Sequence, residues 1–307
     1  MSTEYKKRIK IFRVPPPALF FCLKLPLIAS FILLICRTAL PAGGAFTALP
    51  PSALAAGLGY ISCSFRGEPS ALEENPASLA GVEGITAQFS YRDYYSLNLM
   101  GHSWAGLAVP VGRSAAMGFS LSRMGTSRRV DFMDYSEEVF SLGLGGDTGF
   151  VPGLKAGGAF SFYRVDSREN ASGFGFSCGV TWNPQGFREL TLGASLKNLN
   201  SPRIEWTTGA SDILAPEASV SAGYAHPLGF SGGVGYNGLL RAGLQYDIPG
   251  EMLSVRAGYR DLDDYTGSIS GGISVYYRGL RIDYAAENHA ALGLSHLFTV
   301  NVSIERI

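Results

Sequence analysis

Histidine, serine and acidic side chains are the residues of this chain that could carry out chemistry. The four histidines are scattered, without the short spacing that a metal site requires. Serines are so numerous that a serine–histidine pair on neighbouring strands would arise without indicating a hydrolase. The sequence therefore predicts no catalytic residue, no metal, no cofactor and no enzyme. The histidines are His102, His226, His289 and His296.

Two further motifs resemble ligand sites only superficially. The loop at residues 261–267 has the acidic character of a calcium loop, but it lacks the alternating carboxylates and the distant glutamate. We expect a solvated surface loop there. The glycine pairs at residues 145–146 and 271–272 are not phosphate-binding loops, because no helix follows them. They are expected to permit bends or close approach in a curved sheet.

The cysteines leave two interpretations open. Cys63 and Cys178 could form a disulfide in an oxidising compartment. Alternatively, Cys178 occupies an apolar row of a strand, where cysteine behaves as a small hydrophobic residue, and we favour this second interpretation.

Composition favours strands as the elements that position these residues. Charged residues make up 16% of the 307-residue chain, with 25 basic and 25 acidic side chains, and 39 residues are glycine. Glycine is a poor helix former, whereas the abundant tyrosine and phenylalanine favour strands. A chain with no net charge has no field to attract nucleic acid, so we predict no nucleic-acid partner.

From residue 85 to the end of the chain, apolar residues alternate with glycine, serine, threonine or charged residues. In residues 173–182, Phe174, Phe176 and Val180 point to one face, while Gly175 and Gly179 point to the other. Similar segments recur between short turns, and about fourteen strands can be counted. Residues 230–236 are rich in glycine, so twelve or thirteen strands are also compatible with the pattern. This pattern predicts an all-β, antiparallel sheet.

Strand length distinguishes a soluble sandwich from a membrane barrel. Several predicted strands are nine to eleven residues long, which is enough to cross a bilayer at a tilt, whereas strands in sandwiches centre on about 5–6 residues. The polar face of the predicted sheet is suited to a water-filled lumen, and its apolar face is suited to contact with lipid. Because every backbone group in lipid must be paired, such a sheet has to close. We predict an antiparallel transmembrane β-barrel over residues 85–307, with outer-membrane lipid as its surroundings.

The first 44 residues have the three parts of a secretory signal: a basic start, an apolar run and a small-residue end. Cleavage is expected near Ala42 or Gly44. An uncleaved membrane anchor is the alternative, because apolar residues also precede Lys24. The signal predicts export, and the barrel then predicts a location in the bacterial outer membrane.

Residues 45–84 form a segment that differs from the strands. Ser70 could cap a short helix, with Glu73 reaching back to it, and Pro76 would end that helix. The position of the segment before the first strand suggests a short N-terminal plug or a periplasmic cap.

At residues 69–80, PSALEENPASLA, the chain resembles the PorV/PorQ family, relatives of the FadL-type outer-membrane proteins, whose motif reads A-S-A-L-x-x-N-P-A-G-L-A. Residues 195–199, 254–260 and 292–296 resemble later family motifs in the same order. Ser78 departs from the family's glycine, and Glu73 and Glu74 depart from its aromatics. The plug-motif residues that the resemblance assigns are Ser70, Ala71, Leu72, Asn75, Pro76, Ala77 and Leu79.

The resemblance implies a fourteen-stranded barrel with an N-terminal segment in its lumen. Two functions follow. In the first, the barrel binds or passes hydrophobic or amphipathic small molecules past the plug. In the second, it is a docking barrel for secretion-system proteins of the type IX kind and acts through its loops. An outer-membrane hydrolase is a third hypothesis, but it would need a catalytic constellation that the sequence does not show.

Overall fold

The computed structural model describes residue 46 and residues 51–61, 67–126, 134–250, 252–262 and 267–304. The predicted signal at residues 1–44 and Cys63 lie outside these residues, as do parts of the loops at 127–138 and 261–267.

The strands are β1 (Ile85–Asp93), β2 (Met100–Val111), β3 (Ala115–Thr126), β4 (Ser136–Asp147), β5 (Leu154–Asp166), β6 (Ala171–Trp182), β7 (Leu190–Lys197), β8 (Arg203–Trp206), β9 (Ser211–Ile213), β10 (Glu217–Ala225), β11 (Phe230–Tyr236), β12 (Leu240–Ile248), β13 (Leu253–Asp261), β14 (Gly267–Tyr277), β15 (Leu280–His289) and β16 (Gly293–Ile304).

Fourteen of these strands form one closed antiparallel barrel. The last strand pairs with the first, from Ile85 opposite Ile304 to Asp93 opposite His296, and β5 pairs with β6 to complete the ring. β8 and β9 form a separate hairpin that is attached to the start of β6. The prediction of an antiparallel barrel of about fourteen strands is confirmed. The glycine-rich β11 is one of the fourteen and pairs with both of its neighbours.

Alternation along the strands separates an apolar outer face from a polar lumen. In β6, Phe174, Phe176 and Val180 are exposed on the outside, while Gly175 and Gly179 are buried on the inside. The same alternation leaves large apolar side chains exposed around the barrel, as is typical of a surface that faces lipid. Examples are Phe89, Leu107, Phe119, Leu142, Leu244, Ile269 and Phe298.

The lumen contains buried charged side chains that pair with one another. Arg256 Nη2 lies 3.5 Å from Asp283 Oδ1, and both side chains are inaccessible to solvent. Arg92 Nη1 lies 3.7 Å from Glu287 Oε2. Buried charges persist in proteins when they are paired and hydrogen-bonded, so the inward face is built to hold a packed polar interior.

The two ends of the barrel differ. At one end the connections are short, such as residues 112–114 between β2 and β3 and residues 278–279 between β14 and β15. At the other end, residues 198–216 form a long connection that carries the β8–β9 hairpin. The chain enters β1 at the end with the short turns, because Ile85 lies there opposite Ile304.

Residues 51–61 and 67–84, which we term the luminal segment, lie inside the barrel. They contain a helix at Ala53–Gly57, a helix at Ala71–Glu74 and a 3₁₀ helix at Pro76–Gly81. Among the described residues, no helix is long and apolar enough to cross a membrane.

The predicted capping interaction at Ser70 is wrong. Ser70 is itself in the helical region and makes no cap hydrogen bond. Its hydroxyl instead donates to Glu68 Oε1 (2.6 Å), and Glu73 Oε1 accepts from Ser120 Oγ of β3 (2.6 Å). The barrel wall offers Glu73 a partner that an isolated helix would lack. The helix does end before Pro76, as expected.

Candidate functional site

The seven motif residues are all buried in the lumen, where the luminal segment contacts the inner wall. Leu72 and Leu79 pack in one apolar cluster with Ala108, Ala116 and Ala159 of the wall. Small alanines on the inward face leave room for these leucines, whose burial contributes about 1.5–3 kcal/mol each. The buried motif residues are Ser70, Ala71, Leu72, Asn75, Pro76, Ala77 and Leu79.

Asn75 connects the luminal segment to the backbone of the wall. Its side-chain oxygen accepts from Ala77 N (3.1 Å), which caps the 3₁₀ helix. Its Nδ2 donates to the carbonyl oxygens of Val180 (3.1 Å) and Ala194 (3.4 Å) on β6 and β7. Only an amide side chain of this length supplies an acceptor to the helix and donors to the wall. Asn75 is completely buried, so this geometry accounts for the residue at this position.

A row of three paired glycines on the inner wall lies directly beneath Asn75–Ala77. Gly145 pairs with Gly157 across β4 and β5, and Gly157 pairs with Gly179 across β5 and β6. A Cβ on Gly157 would lie 2.5 Å from Ala77 N, and one on Gly179 would lie 2.8 Å from Asn75 Cγ. The luminal segment therefore rests on the strand backbone itself, at a distance that any side chain in this row would prevent.

A second glycine row lies on the opposite wall. Gly243 and Gly258 are paired across β12 and β13, and a Cβ on either would lie within 2.8 Å of the Leu58 carbonyl carbon. The row continues through Gly233 to Gly223 on β11 and β10. The two rows contact two different parts of the luminal segment, Asn75–Ala77 and Leu58–Gly59, on opposite sides of the lumen.

Two groups of charged side chains fasten the luminal segment further. Glu68 forms an ion pair with Arg281 of β15. Burial would raise the pKa of Glu68, but Arg281 and the hydrogen bond from Ser70 hold it below its usual value. These interactions favour the ionised form of the carboxylate.

The second group surrounds Tyr60. Its hydroxyl donates to Glu287 Oε2 (2.5 Å) and accepts from Arg92 Nη2 (2.5 Å). Arg260 stacks over the Tyr60 ring at 4.5 Å from its centroid and also pairs with Glu287 (2.6 Å). Arg241 Nη1 donates to the Tyr60 carbonyl oxygen (3.2 Å). Burial raises the pKa of Tyr60, so the phenol stays neutral and can donate.

A cavity of about 110 Å³ separates the luminal segment from the end of the barrel that carries the long loops. Glu73 and Glu74 form its floor, and Phe46, Met124, Val139 and Tyr163 form an apolar side. Residues at the loop ends of the strands form a charged side, including Lys197, Glu217 and Arg241. This cavity is where a solute entering from the loop end would first meet the luminal segment.

The histidines make local hydrogen bonds. His102 Nε2 lies 2.8 Å from Ser122 Oγ on the neighbouring strand, inside the cavity. Within the described ranges, no carboxylate hydrogen-bonds His102, so the pair lacks the group that would orient a catalytic histidine. His296 bonds the Tyr284 hydroxyl (2.7 Å), and the ring of His289 accepts backbone N–H groups of its own turn.

Cys178 is free and exposed, in the outward apolar row expected of a small hydrophobic residue. The described part of the chain contains no group of three or more metal-ligating side chains that could hold a metal ion.

Sequence reasoning located the motif residues but missed the glycine rows and the residues around Tyr60. The signal for the rows was present, because Gly145, Gly157 and Gly179 all occupy inward positions of consecutive strands. Finding the row required the register between strands, which a single sequence does not provide.

The closed ring, its apolar exterior and its occupied lumen define a transmembrane β-barrel with an internal N-terminal segment. No protein-family model matches the chain, and no curated protein sequence matches it. Among solved structures, it is similar to a FadL homologue of Pseudomonas aeruginosa, with 14% identity over 83% of this chain and 98% of that chain and a TM-score of 0.59. It is also similar to the toluene transporter TodX of Pseudomonas putida, with 10% identity over 83% of this chain and 99% of that chain and a TM-score of 0.65. The fold is therefore that of the FadL-type barrels.

Proposed function

We propose that this protein is a non-enzymatic channel of the bacterial outer membrane that passes hydrophobic or amphipathic solutes past a plug formed by the luminal segment. The observation that carries the proposal is the placement of residues 70–80. They lie in the lumen against β3–β6, contact the wall at glycines, and have a cavity on the side of the long loops. Export through the signal at residues 1–44 is part of the proposal.

The mechanism that we propose is movement of residues 70–80 away from the first glycine row. The interactions to be broken are few and local: the hydrogen bonds from the Asn75 amide to two wall carbonyls, from Ser120 to Glu73 and from Ser70 N to Gln88 Oε1, and the packing of Leu72 and Leu79. The groups around Tyr60 and the second glycine row hold residues 51–61, so this part could stay fixed while residues 70–80 move.

Hydrophobic solutes are supported as cargo by the fold comparison and by the lining of the cavity. TodX is described as a toluene transporter, and its fold is shared over most of both chains. The aromatic and apolar side of the cavity, formed by Phe46, Val139 and Tyr163, offers such a solute a surface that water solvates poorly. Toluene is therefore a suitable first probe.

The test is toluene uptake and single-channel conductance in proteoliposomes, comparing the full barrel with a variant that lacks residues 70–80. A matched control lacks residues 203–213, which are equally long but lie in the β8–β9 hairpin. We expect both quantities to rise in the first variant and to change little in the control. A heat-dependent gel shift verifies that each variant forms a closed barrel. If the folded variant without residues 70–80 behaves like the intact protein, the proposed gating is wrong.

Membership of the PorV/PorQ family and a docking role in protein secretion remain predictions from the sequence resemblance. The loops at residues 127–138 and 200–216 would be the docking surfaces in that role, and the second of them includes the β8–β9 hairpin. Its Ile204 is buried against Tyr163 and Val165 of the barrel, so part of this loop is already packed on its own chain. A pull-down that recovers no secretion-system partner would contradict the docking role.

A further inference from the structure

The cavity above Glu73 and Glu74 has two chemically different sides. On one side, the rings of Phe46 and Tyr163 meet edge to face with centroids 5.0 Å apart, next to Val139 and Met124. Three carboxylates, two cationic side chains and Asn237 line the rest of the cavity; they are Glu73, Glu74, Glu217, Lys197, Arg241 and Asn237. A fourth carboxylate, that of Glu137, lies beside Phe46 and accepts from its backbone N–H.

Some of the polar groups in the cavity are already used by the protein. Glu73 accepts from Ser120, Glu137 accepts from Phe46 N (2.7 Å) and from the Tyr135 hydroxyl, and one guanidinium nitrogen of Arg241 donates to Tyr60 O.

Other acceptors in the cavity have no donor. Glu74 Oε1 and Asn237 Oδ1 are buried and receive no hydrogen bond from the described residues. Within that same part of the chain, neither Glu74 nor Glu217 has a cationic nitrogen within 4.0 Å. A buried acceptor without a donor costs about 1–3 kcal/mol. Arg241 Nε, a buried donor of the same lining, is also without a partner in the described residues, so the acceptors and this donor are not matched to one another. By formal charge, four carboxylates against Lys197 and Arg241 leave an excess of negative charge in the lining.

Lys197 and Arg241 do not neutralise this excess. Burial raises the pKa of Glu74 to about 8, and Glu68 and Glu73 act in the same direction. Lys197 and Arg241 lower this pKa, but the opposing effects are larger. Glu74 is therefore short of positive charge and of donors even with both cations present.

We propose that the cavity binds the head group of a cationic amphiphile, an alkyl or aryl amine whose apolar part lies against Phe46, Val139 and Tyr163. A protonated amine brings a positive charge and up to three N–H donors, whereas Glu74 and Glu217 have no cationic partner and Glu74 Oε1 and Asn237 Oδ1 have no donor among the described residues. A carboxylate head would bring a further negative charge to a lining whose other glutamates already outweigh its cations, even though a pKa of about 8 leaves Glu74 mostly protonated at pH 7. The inference rests on the proposed function and narrows its solute class.

The test compares octylamine, octanol and octanoate, which share one chain length and differ in the head group. Binding at pH 7 is measured by calorimetry on the full barrel in lipid nanodiscs, with the signal from empty nanodiscs subtracted. We expect octylamine to bind at least about tenfold more tightly than octanoate, with octanol between them. Octanoate binding equal to or tighter than octylamine would overturn the proposal.

Glu217→Gln provides a test at the level of one residue, and Glu205→Gln is its control. Glu205 is an exposed acidic residue on β8 that does not line the cavity. Glu217→Gln should weaken octylamine binding by about tenfold and leave octanol unchanged, since only the charged head loses a partner. Equal octylamine affinity in the two variants would contradict the proposal.

The toluene assay separates this inference from the proposed function. Toluene has no head group, so its passage tests only the channel. Passage of toluene without a preference for amines would refute the cationic site and leave the channel intact. If removal of residues 70–80 changes no transport at all, the proposed function fails, whatever the amine affinity.

Discussion

Substitution of Gly157 by alanine tests the contact between the luminal segment and the wall with a single added carbon atom. The new Cβ would lie 2.5 Å from Ala77 N, whereas ordinary contacts begin near 3.4 Å, so the segment would have to move by about 1 Å. Crowding of this kind costs about 1–3 kcal/mol. The barrel strands are paired on both sides of Gly157, so we expect the segment to move rather than the wall.

The free-energy cost of the added carbon atom can be expressed as a change in channel opening. A shift of about 1–3 kcal/mol in the docking equilibrium corresponds to a change of roughly 5–150-fold in the ratio of open to closed channels. Gly158→Ala is the matched control, because a Cβ there points to the outer face and comes no closer than 3.7 Å to Ser177 O. The assay is the open probability in planar bilayers, after a gel shift has established that each barrel is folded.

The reasoning would be refuted if Gly157→Ala and Gly158→Ala had the same open probability as the unmodified protein. It would also be refuted if both substitutions raised the open probability equally, since the effect would then come from the strand and not from the contact with the luminal segment.

Three further predictions concern the same segment. Asn75→Asp should weaken docking of the segment on the wall by about 1–3 kcal/mol, because the carboxylate cannot donate to the Val180 carbonyl. Faster proteolysis of the segment would show this weakening, and unchanged proteolysis would argue against the anchoring role. Glu68→Gln removes one of the two carboxylates that pair with Arg281, the other being that of Asp283, and should cost about 1–3 kcal/mol, measured as a lower denaturant midpoint for release of the segment; an unchanged midpoint would contradict it. The pKa of Glu74 is raised from 4.5 to about 8, so its contribution to docking is greatest below pH 4.5 and is lost as the pH rises through 8, whereas the lowered pKa of Glu68 acts only on the acid side of 4.5; conductance should rise between pH 4.5 and 8, and Glu74→Gln should remove this dependence.

The barrel could be predicted from the sequence because one physical rule governs each strand. A strand that is paired on both sides and lies between lipid and a polar lumen must alternate apolar and polar residues, as in β6 and β16. Even the glycine-rich β11 kept enough alternation, through Phe230, Val234 and Tyr236, to be counted as a strand.

The interior of the lumen was only partly predictable. The motif around Asn75 could be identified from the residues, but the partners of Tyr60 could not, since Arg92, Arg260 and Glu287 come from three strands that are distant in sequence. The capping interaction at Ser70 was wrongly predicted because local rules assume that water surrounds the helix. In the lumen, Ser120 of the wall hydrogen-bonds the Glu73 side chain, which was predicted to reach back to Ser70.

The two glycine rows also have a mechanical consequence. They lie on opposite walls, one on β4–β6 and the other on β12–β13; Asn75–Ala77 contact the first row, and Leu58–Gly59 contact the second. Backbone rests on backbone at both contacts, so almost no compressible side chain lies between the luminal segment and the wall. We therefore expect each contact to resist inward movement of its wall under the lateral pressure of the bilayer. If residues 70–80 leave the first row, this support is lost there, and we expect the wall at β4–β6 to become more compliant.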